Sequence, residues 1–368
     1  MLRVLFIVNI PSPYRVSFFN ELGKYCDLTV LFEKTASDER DDSWKNYEFT
    51  NFKGVFLKGV SVGVATALCF EVKSYIKKEE YDYIVCANFT SPTGMIAVDY
   101  MKRHKIPYWL ECDGGFAKSG KGPKELLKKY IISGANGYFS TGKDNDEYYK
   151  IYGAAQDRIF RYPFTSIEGK QVSDKVLSPS EKSELKQKLG LADKVTVLAV
   201  GQFIPRKGFD VLLKASSKLN CDVSICFVGG VPTEEYLHLK ETLKLDNVTF
   251  EGFKQKEQLS EYYSAADLFV LPTREDIWGL VINEAMAYAL PVITTNKCAA
   301  GNELVKDDIN GYLVDVDDEV ELARRIEALA FDDERRHNMA EASLSQIQEY
   351  TIEKMAKRHI EVFAKEVK

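Results

Sequence analysis

The stretch DLFVLPTREDIWGLVINEAMAYALPVITT, residues 267–295, runs from a short apolar segment through a polar loop into a helical pattern. Residues 267–272 are typical of a buried parallel strand. Gly279, at the start of the helical pattern, lets backbone approach a ligand closely because glycine has no Cβ. A strand that leads into a helix directs backbone N–H groups at whatever lies beyond the strand's carboxyl end, and phosphates suit that position.

Two acids in this stretch, Asp276 and Glu284, lie eight positions apart. Along an ideal helix eight residues rise about 12 Å, which is close to the span of a sugar diphosphate from its sugar hydroxyls to its ribose. One acid could therefore hold each end of such a molecule. The alternative is that Asp276 only complements the helix dipole and that Glu284 is solvated.

A second strand, loop and helix pattern lies upstream in KVTVLAVGQFIPRKGFDVLLKA, residues 194–215. The pattern predicts a strand over 195–200, a loop over 201–208 and a helix over 209–219. The loop carries adjacent Arg206 and Lys207, and paired cations can neutralise a departing diphosphate without a divalent metal. The alternative is a solvated basic loop.

These units closely resemble, in the same order, the retaining glycosyltransferases of family 4, which have the GT-B fold. The resemblance lies in GQFIPRKGFDVLLKA (201–215), REDIWGLVINEAMAYALPVI (274–293) and AAGNELVKDDINGYLV (299–314). The opening VNIPSPYRVSFFNEL (8–22) resembles members that build bacterial surface polysaccharides. The resemblance implies an α/β protein with two doubly wound Rossmann-like domains facing a central cleft. It also implies transfer of a sugar from a nucleotide diphosphate donor, a UDP-sugar first, with retained configuration and without a metal or cofactor.

The same resemblance implies roles for single residues. Arg206 and Lys207 match the pair that contacts the donor diphosphate, and Glu284 matches a glutamate that holds the ribose. Asp276 stands where the family has a glutamate that touches the donor sugar. It is one methylene shorter than Glu, so its contact could be water-mediated or suit another sugar, and neighbouring Glu275 could substitute for it.

Further donor-binding residues implied by the resemblance are Gly201, Phe253, Trp278, Gly279 and Leu280. Trp278 stands where many members have Phe, and a structural turn explains the Phe253 loop equally well. The expected catalytic residues are Arg206, Lys207, Asp276, Glu284 and Asp113.

The N-terminal half alternates between strand and helix patterns, which predicts a doubly wound parallel sheet. Strands are expected at 3–8, 28–32, 83–87 and 108–112, and helices at 14–22, 65–77 and 92–104. Later in the chain, 223–228 and 248–251 are expected to be strands. Functional loops should follow the strands of the first half, at 9–15, 88–93 and 111–116.

By resemblance this half binds the acceptor, through Pro13, Arg15, Glu111 and Asp113. Arg15 could grip an acceptor phosphate or could be structural, and Glu111 and Asp113 could orient the acceptor hydroxyl. Family members often carry a histidine near these acids, and this sequence does not. That absence fits a front-face mechanism in which the departing phosphate takes the acceptor's proton.

The domain boundary is expected near 162–175, where the sequence turns polar and loses periodicity. We expect an acceptor-binding domain over 1–165, a nucleotide-sugar-binding domain over 166–350 and a helix over 351–368. By resemblance that last helix returns to the N-terminal domain.

Composition agrees with a folded two-domain enzyme. The chain has 368 residues, of which 45% are hydrophobic and 28% charged, so gross disorder is not expected. The seven cysteines form no C-x2-C pair, which is typical of reduced cytosolic proteins. No apolar run reaches 18 residues, so nothing is expected to span a membrane. A net charge of -6 without a basic stripe argues against nucleic acid.

One segment suggests a membrane surface as a partner. Lysines surround KELLKKYIIS, residues 124–133, at positions Lys118, Lys121, Lys124, Lys128 and Lys129. Its apolar residues Leu126, Leu127, Tyr130 and Ile131 could lie on an anionic bilayer, or could pack into their own domain. The first alternative predicts a cytoplasmic protein at the inner face of the cell membrane, with a lipid-linked or polysaccharide acceptor.

Rival functions rest on weaker motifs. Ser61 lies in a G-x-S-x-G pattern at 59–63, which is a serine-hydrolase motif. His337 and His359, however, lie in charged helical segments without an obvious acid partner. The D-x-D tripeptides at 144–146 and 315–317 could indicate metal-dependent transfer. A nucleotide-sugar binder without catalysis is a further alternative.

Overall fold

The computed structural model describes residues 1–35, 48–117 and 120–366. The chain divides into two compact units, and each has its own hydrophobic core. The N-terminal unit comprises Met1–Glu168 and Thr351–Lys368, and the C-terminal unit comprises Gly169–Tyr350. The division at 168/169 lies inside the polar segment 162–175.

The elements of the N-terminal unit up to residue 168 are β1 (Arg3–Val8), α1 (Pro13–Leu22), β2 (Asp27–Phe32), β3 (Lys53–Phe56), β4 (Val60–Ser61), β5 (Ala67–Leu68), α2 (Val72–Tyr75), β6 (Tyr83–Cys86), α3 (Pro92–Arg103), β7 (Trp109–Glu111), α4 (Pro123–Ile132), β8 (Gly137–Ser140), α5 (Lys143–Ile151) and β9 (Ile159–Arg161). Seven strands form a parallel sheet in the order β3-β2-β1-β6-β7-β8-β9. The chain reverses direction across the sheet between β1 and β6, so a ligand-binding crevice is expected beyond the carboxyl ends of these strands.

The elements of the C-terminal unit are α6 (Pro179–Leu189), β10 (Val195–Val200), α7 (Phe209–Ser216), β11 (Val223–Val228), α8 (Glu234–Thr242), β12 (Val248–Glu251), α9 (Lys256–Ala265), β13 (Leu268–Leu271), α10 (Leu280–Ala287), β14 (Val292–Thr295), α11 (Ala299–Leu304), β15 (Gly311–Val314), α12 (Glu319–Ala330) and α13 (Asp333–Ile347). Its parallel sheet has the order β12-β11-β10-β13-β14-β15, which reverses between β10 and β13. The loops after β10 and β13 are the two that contain Arg206 and Asp276.

The last helix, α14 (Ile352–Glu366), is part of the N-terminal unit. Its apolar stripe is buried there through Met355, Ala356 and Phe363, each fully buried. The Tyr83 hydroxyl also donates a hydrogen bond to the carbonyl oxygen of Phe363 at 2.6 Å. This strand-to-helix contact ties the end of the chain to the first sheet.

Most predicted elements agree with the structure to within a few residues, but the helix predicted over 65–77 is wrong. That segment contains β5 and the one-turn helix α2, and β5 pairs with β4 in a two-stranded antiparallel hairpin. Two hydrogen bonds to distant residues hold it extended: the Ala67 N–H donates to the Glu33 carboxylate at 2.8 Å, and the Cys69 N–H donates to the Thr93 hydroxyl at 2.9 Å. These tertiary contacts override the helical spacing of the apolar residues.

The start of β13 is anchored by a buried ion-pair cluster. One carboxylate oxygen of Asp267 lies 2.7 Å from Lys186 Nζ and accepts a hydrogen bond from the Thr196 N–H at 2.8 Å. The other lies 3.3 Å from Lys182 Nζ. The two lysines lower the pKa of Asp267, although burial alone would raise it. The cluster joins α6 to the two central strands of the second sheet.

We expect Asp267→Asn to lower the free energy of unfolding by about 3 kcal/mol, because it leaves two buried lysines without a counter-charge. Denaturant unfolding measures this. The control is Asp222→Asn, which breaks the exposed 2.6 Å pair with Lys194 and should cost about 0–1 kcal/mol. Equal losses in the two variants would contradict the role given to Asp267.

Candidate active site

The loops that follow β10 and β13 contact each other through their backbones. Gly208 has a φ of +67°, and a Cβ at this position would lie 2.0 Å from the carbonyl oxygen of Pro272. The carbonyl oxygen of Arg206 accepts hydrogen bonds from the Thr273 hydroxyl and the Arg274 N–H, both at 2.8 Å. The approach to Pro272 therefore requires glycine at position 208, and it fixes the positions of the side chains on both loops.

The predicted cation pair and the first predicted acid meet at this contact. Lys207 Nζ lies 2.7 Å from the Asp276 carboxylate, and Arg206 Nη1 lies 3.5 Å from the same oxygen. Arg206 also donates a hydrogen bond to the carbonyl oxygen of Glu275 at 2.8 Å. The Lys207 and Asp276 side chains are about one-tenth exposed, whereas Arg206 is half exposed. One acid thus holds two cations at the carboxyl edge of the sheet.

The backbone around Asp276 is held by the loop after β14. The Asp276 N–H donates to the carbonyl oxygen of Lys297 at 2.8 Å, and the Ala299 N–H donates to that of Asp276 at 3.1 Å. Asp276 precedes α10 and is not on it, so the span of about 12 Å drawn from an ideal helix does not apply. The eight-residue spacing from Glu284 combines a loop with only the first turn of a helix.

Glu284, the fifth residue of α10, accepts a hydrogen bond from the Tyr263 hydroxyl at 2.9 Å. The Tyr263 ring in turn stacks on that of Tyr288, with 5.5 Å between centroids and 4° between planes. The alternative in which Glu284 is merely solvated is therefore wrong. Sequence reasoning missed Tyr263, because it lies 21 positions upstream on another helix and carries no motif.

The structure corrects the role expected of the Trp278 side chain. Its indole is buried, and its N–H donates to the Asn283 side-chain oxygen at 2.8 Å. Gly279 precedes α10 with a φ of +100°, where a Cβ would lie 2.7 Å from Cys298 Sγ. Partly exposed Leu280 begins the helix. The Trp278 ring thus stabilises the first turn of α10, and the backbone at 279–280 lies at the carboxyl edge of the second sheet.

The remaining donor-site predictions fall on the same edge of the second sheet. Gly201 follows β10 directly with a φ of +153°, and its carbonyl oxygen is 2.9 Å from where a Cβ on Gly229 would lie. Phe253 follows β12 and is 55% exposed, and Val231, after β11, is 85% exposed. An exposed aromatic ring and an exposed valine at strand ends offer apolar surface to a planar ligand.

The acceptor-site predictions converge in a buried cluster of the N-terminal unit. Both terminal nitrogens of Arg15 are in ion pairs, one with Glu111 and one with Asp113, and the Tyr14 hydroxyl donates to Asp113 at 2.7 Å. These contacts favour the structural interpretation of Arg15, whose guanidinium is already engaged by two carboxylates. Pro13 is the first residue of α1, where its fixed φ suits a helix start.

The two acids of this cluster have opposite environments. Burial alone would raise the pKa of Glu111, but the Arg15 guanidinium and His359 lower it to about 2. Burial raises the pKa of Asp113, against the opposing effect of Arg15. Asp113 is also the accessible member, because 31% of its side chain is exposed whereas Glu111 is fully buried. Asp113 is therefore the acid of this cluster that a ligand can contact.

His359 is the residue that sequence reasoning missed here. The expectation that His337 and His359 lack acid partners is wrong: His359 Nε2 lies 3.1 Å from the Glu111 carboxylate, and His337 Nε2 lies 3.4 Å from that of Glu341. His359 lies 248 positions after Glu111 and reaches it only because α14 packs on the first sheet. The available signal was that His359 lies four residues after Met355 and four before Phe363, on the apolar side of the helix; this position indicates burial but does not identify a partner.

Two further polar groups near this edge are buried without a hydrogen-bond partner within the described parts of the chain. They are the Asn145 side-chain nitrogen, at the start of α5, and the Tyr162 hydroxyl, just after β9. Buried polar groups usually have a partner, so an ordered water or a ligand atom is expected beside each. Polar side chains thus follow the carboxyl ends of β7, β8 and β9.

The rival motifs have other contacts. The Ser61 hydroxyl lies in the β4–β5 hairpin and accepts a hydrogen bond from Lys34 Nζ at 3.0 Å. In the two D-x-D tripeptides, Asp146 accepts from Arg161 at 2.8 Å and Asp317 pairs with Arg274 at 2.7 Å. Within 1–35, 48–117 and 120–366 there is no group of three or more His, Cys, Asp or Glu side chains arranged to hold a metal ion.

Two parallel, doubly wound units in one chain define the GT-B fold, and solved structures agree with this assignment. The Anabaena protein HepE, solved in complex with UDP, matches with a TM-score of 0.80 and 18% identity, covering 99% of this chain and 100% of that one. WaaG, a glycosyltransferase involved in lipopolysaccharide biosynthesis, matches with a TM-score of 0.67 and 18% identity over 98% and 99% of the chains. Likeness at these identities establishes the fold alone.

Sequence comparison relates part of the chain to glycosyltransferases. Residues 181–346 match the family described as Glycosyl transferases group 1. A D-inositol 3-phosphate glycosyltransferase of Xylanimonas cellulosilytica is 30% identical over 239 residues, which are 62% of this chain and 56% of the relative. The chain spans about half the length of the first curated relatives it matches. These matches support the glycosyltransferase superfamily, and the family match lies within the unit that holds Lys207 and Asp276.

We expect Trp278→Phe to lower the free energy of unfolding by about 1–3 kcal/mol, because the buried Asn283 oxygen loses a donor. Since the ring is buried, the affinity for UDP should stay within about twofold of wild type. Thermal unfolding and calorimetric titration with UDP measure the two effects. A large loss of UDP affinity in a fully folded variant would show that the Trp278 ring contributes to donor binding after all.

Proposed function

We propose that the protein is a metal-independent, retaining glycosyltransferase. The donor is a nucleotide diphosphate sugar, a UDP-hexose first, and the acceptor is a lipid-linked or polysaccharide glycan of the cell surface. One observation carries the proposal: Lys207 and Arg206 are gathered by Asp276 at the point where the second sheet reverses direction. Parallel α/β sheets bind their ligands at that point.

The cation pair is suited to a leaving diphosphate. As the bond between the anomeric carbon and the diphosphate oxygen breaks, negative charge grows on the phosphates, and Arg206 and Lys207 can neutralise it. Asp276 keeps both cations in place before the donor binds. We propose that phosphate oxygens then compete with Asp276 for Lys207 Nζ, which frees a carboxylate oxygen for a sugar hydroxyl.

The other donor contacts follow from position along the same edge. Glu284, oriented by the Tyr263 hydroxyl, offers a carboxylate to the ribose hydroxyls. Exposed Phe253 offers a ring to the base. The backbone N–H groups at the start of α10, at Gly279 and Leu280, suit phosphate, because a helix N-terminus attracts anions. HepE was solved with UDP, which supports a uridine donor for this chain by analogy.

The proposed reaction needs no separate base. The acceptor oxygen bonds to the anomeric carbon on the face that the diphosphate leaves, so configuration is retained. The acceptor's proton passes to the departing phosphate oxygen. In the N-terminal unit, Asp113 is the accessible carboxylate that would orient the acceptor hydroxyl.

We expect the wild-type protein to release UDP from a UDP-sugar in the presence of acceptor and a chelator. Lys207→Ala should lower the turnover number by about 100-fold or more, because one cation at the leaving group is lost. Lys214→Ala is the control, since this exposed lysine lies on α7 and pairs with Asp210 at 3.4 Å. Strict dependence on added Mg²⁺ would contradict the mechanism, and full turnover by Lys207→Ala would remove the diphosphate assignment.

The same assay separates the alternatives. A donor-binding protein without catalysis would bind UDP but release no product with any acceptor. A serine hydrolase would show esterase activity that Ser61→Ala abolishes. Neither outcome is expected, because Ser61 contacts Lys34 and the cation pair lies at the sheet reversal.

We also propose that the protein works at an anionic membrane surface, through α4. Leu126, Leu127 and Tyr130 are 70%, 45% and 42% exposed, while Ile131 is buried. Exposed Lys121, Lys124 and Lys129 lie beside them, and Lys118 lies outside the described residues. Such a helix can insert its leucines among lipid headgroups while each lysine contributes about 1 kcal/mol near a charged leaflet.

No helix in the described ranges is long and apolar enough to cross a bilayer.

For this surface we expect the double variant Leu126→Ser and Leu127→Ser to weaken binding to vesicles containing anionic lipid by about tenfold or more. The reason is that two apolar side chains would no longer be transferred from water into the bilayer. Vesicle flotation measures binding. Leu237→Ser, at a 43% exposed leucine on α8, is the control and should bind like wild type. Equal binding by all three proteins would contradict a docking role for α4.

A further inference from the structure

The imidazole of His359 is a buried ionisable group to which the proposed mechanism gives no role. It is fully buried in the N-terminal unit, among the rings of Phe18, Phe139 and Tyr162. The Phe139 ring stacks on it, with 4.1 Å between centroids and 27° between planes. A histidine in such a setting is costly to bury unless both ring nitrogens have partners.

Both nitrogens do have partners, and both partners accept hydrogen bonds. Nδ1 lies 2.8 Å from the carbonyl oxygen of Met355, which can only accept. Nε2 lies 3.1 Å from Glu111 Oε2. Glu111 is in an ion pair with Arg15 through its other oxygen, so it is a carboxylate and also accepts. A neutral imidazole has a single N–H and could donate only one of these bonds.

Charge balance leads to the same state. The charged groups that face one another here are Arg15 from α1, Glu111 and Asp113 from the end of β7, and His359 from α14. Two carboxylates and one guanidinium would leave a net negative charge around the fully buried Glu111, and an imidazolium makes the group of four neutral. The Phe139 face also favours a cation stacked against it.

The contacts form one connected series from α14 to the accessible acid. Glu111 accepts from His359 through Oε2 and contacts Arg15 through Oε1. Arg15 contacts Asp113 through its second terminal nitrogen, and Tyr14 donates to the other oxygen of Asp113 at 2.7 Å. Each group in the series fixes the orientation of the next. Without His359, Glu111 Oε2 would lose this partner, and Arg15 alone would orient the carboxylate that anchors it.

We infer that His359 is a doubly protonated positioning residue that acts through Glu111 and Arg15 to hold the Asp113 carboxylate in place for the acceptor. This inference rests on the proposed function only in calling Asp113 an acceptor contact. The charge state and the coupling to Glu111 stand on the contacts alone. A helix at the far end of the chain thereby sets the geometry of an acid that follows β7.

The first test needs no activity. In ¹⁵N NMR of the wild-type protein labelled at histidine, we expect both ring nitrogens of His359 to show the shifts of an imidazolium at neutral pH. Glu111→Gln should change those shifts, whereas the surface variant Glu341→Gln, at the partner of His337, should leave them as they are. A neutral imidazole in the wild type would overturn the inference whether or not the protein transfers sugar.

The second test measures positioning. We expect His359→Gln to lower the turnover number by about tenfold with the donor KM unchanged, since the donor contacts lie in the other unit. Val362→Ala, at a buried residue of the same helix, is the control for lost packing. It should lose as much thermal stability as His359→Gln, but its turnover number should stay near that of the wild type. If both variants lose turnover in proportion to stability, His359 is only structural. If the wild type transfers no sugar at all, the proposed function fails and the NMR result still decides the inference.

Discussion

The site depends on one steric constraint, the contact of two backbones at the reversal point of the second sheet. The loop after β10 passes so close to Pro272 that any side chain at position 208 would collide with its carbonyl oxygen. Because of this approach, Lys207 on one loop and Asp276 on the other lie within 2.7 Å of each other. Parallel pairing of β10 with β13 brings the loops to the same edge, and glycine lets them meet.

Both units use charge in the same way, with a cation held by an acid at a carboxyl edge. In the C-terminal unit the pair of Lys207 and Asp276 is partly accessible, and a phosphate can compete for the lysine. In the N-terminal unit Arg15 is saturated by Glu111 and Asp113, so the cation serves to orient an acid. The first arrangement suits binding of an anion, and the second suits fixing the direction of a carboxylate.

The sequence predicted most strands and the loops that follow them well, because both are local patterns. Apolar runs such as 195–200 and 223–228 are strands with the predicted bounds, and the loop after the first of them contains Arg206 and Lys207. The predictions that failed depend on tertiary contacts. The 65–77 segment is not one helix, because Glu33 and Thr93 bind its backbone. Tyr263 and His359 could not be foreseen, because each meets its acid only after distant helices pack.

We expect the diphosphate of the donor to bind the cations that Asp276 holds, and a crystal structure of the protein with UDP decides whether it does. Phosphate oxygens should lie within hydrogen-bond distance of Lys207 Nζ and the Arg206 guanidinium, at the carboxyl ends of β10 and β13. UDP bound with its phosphates away from both side chains, and the contact between Lys207 and Asp276 unchanged, would contradict it.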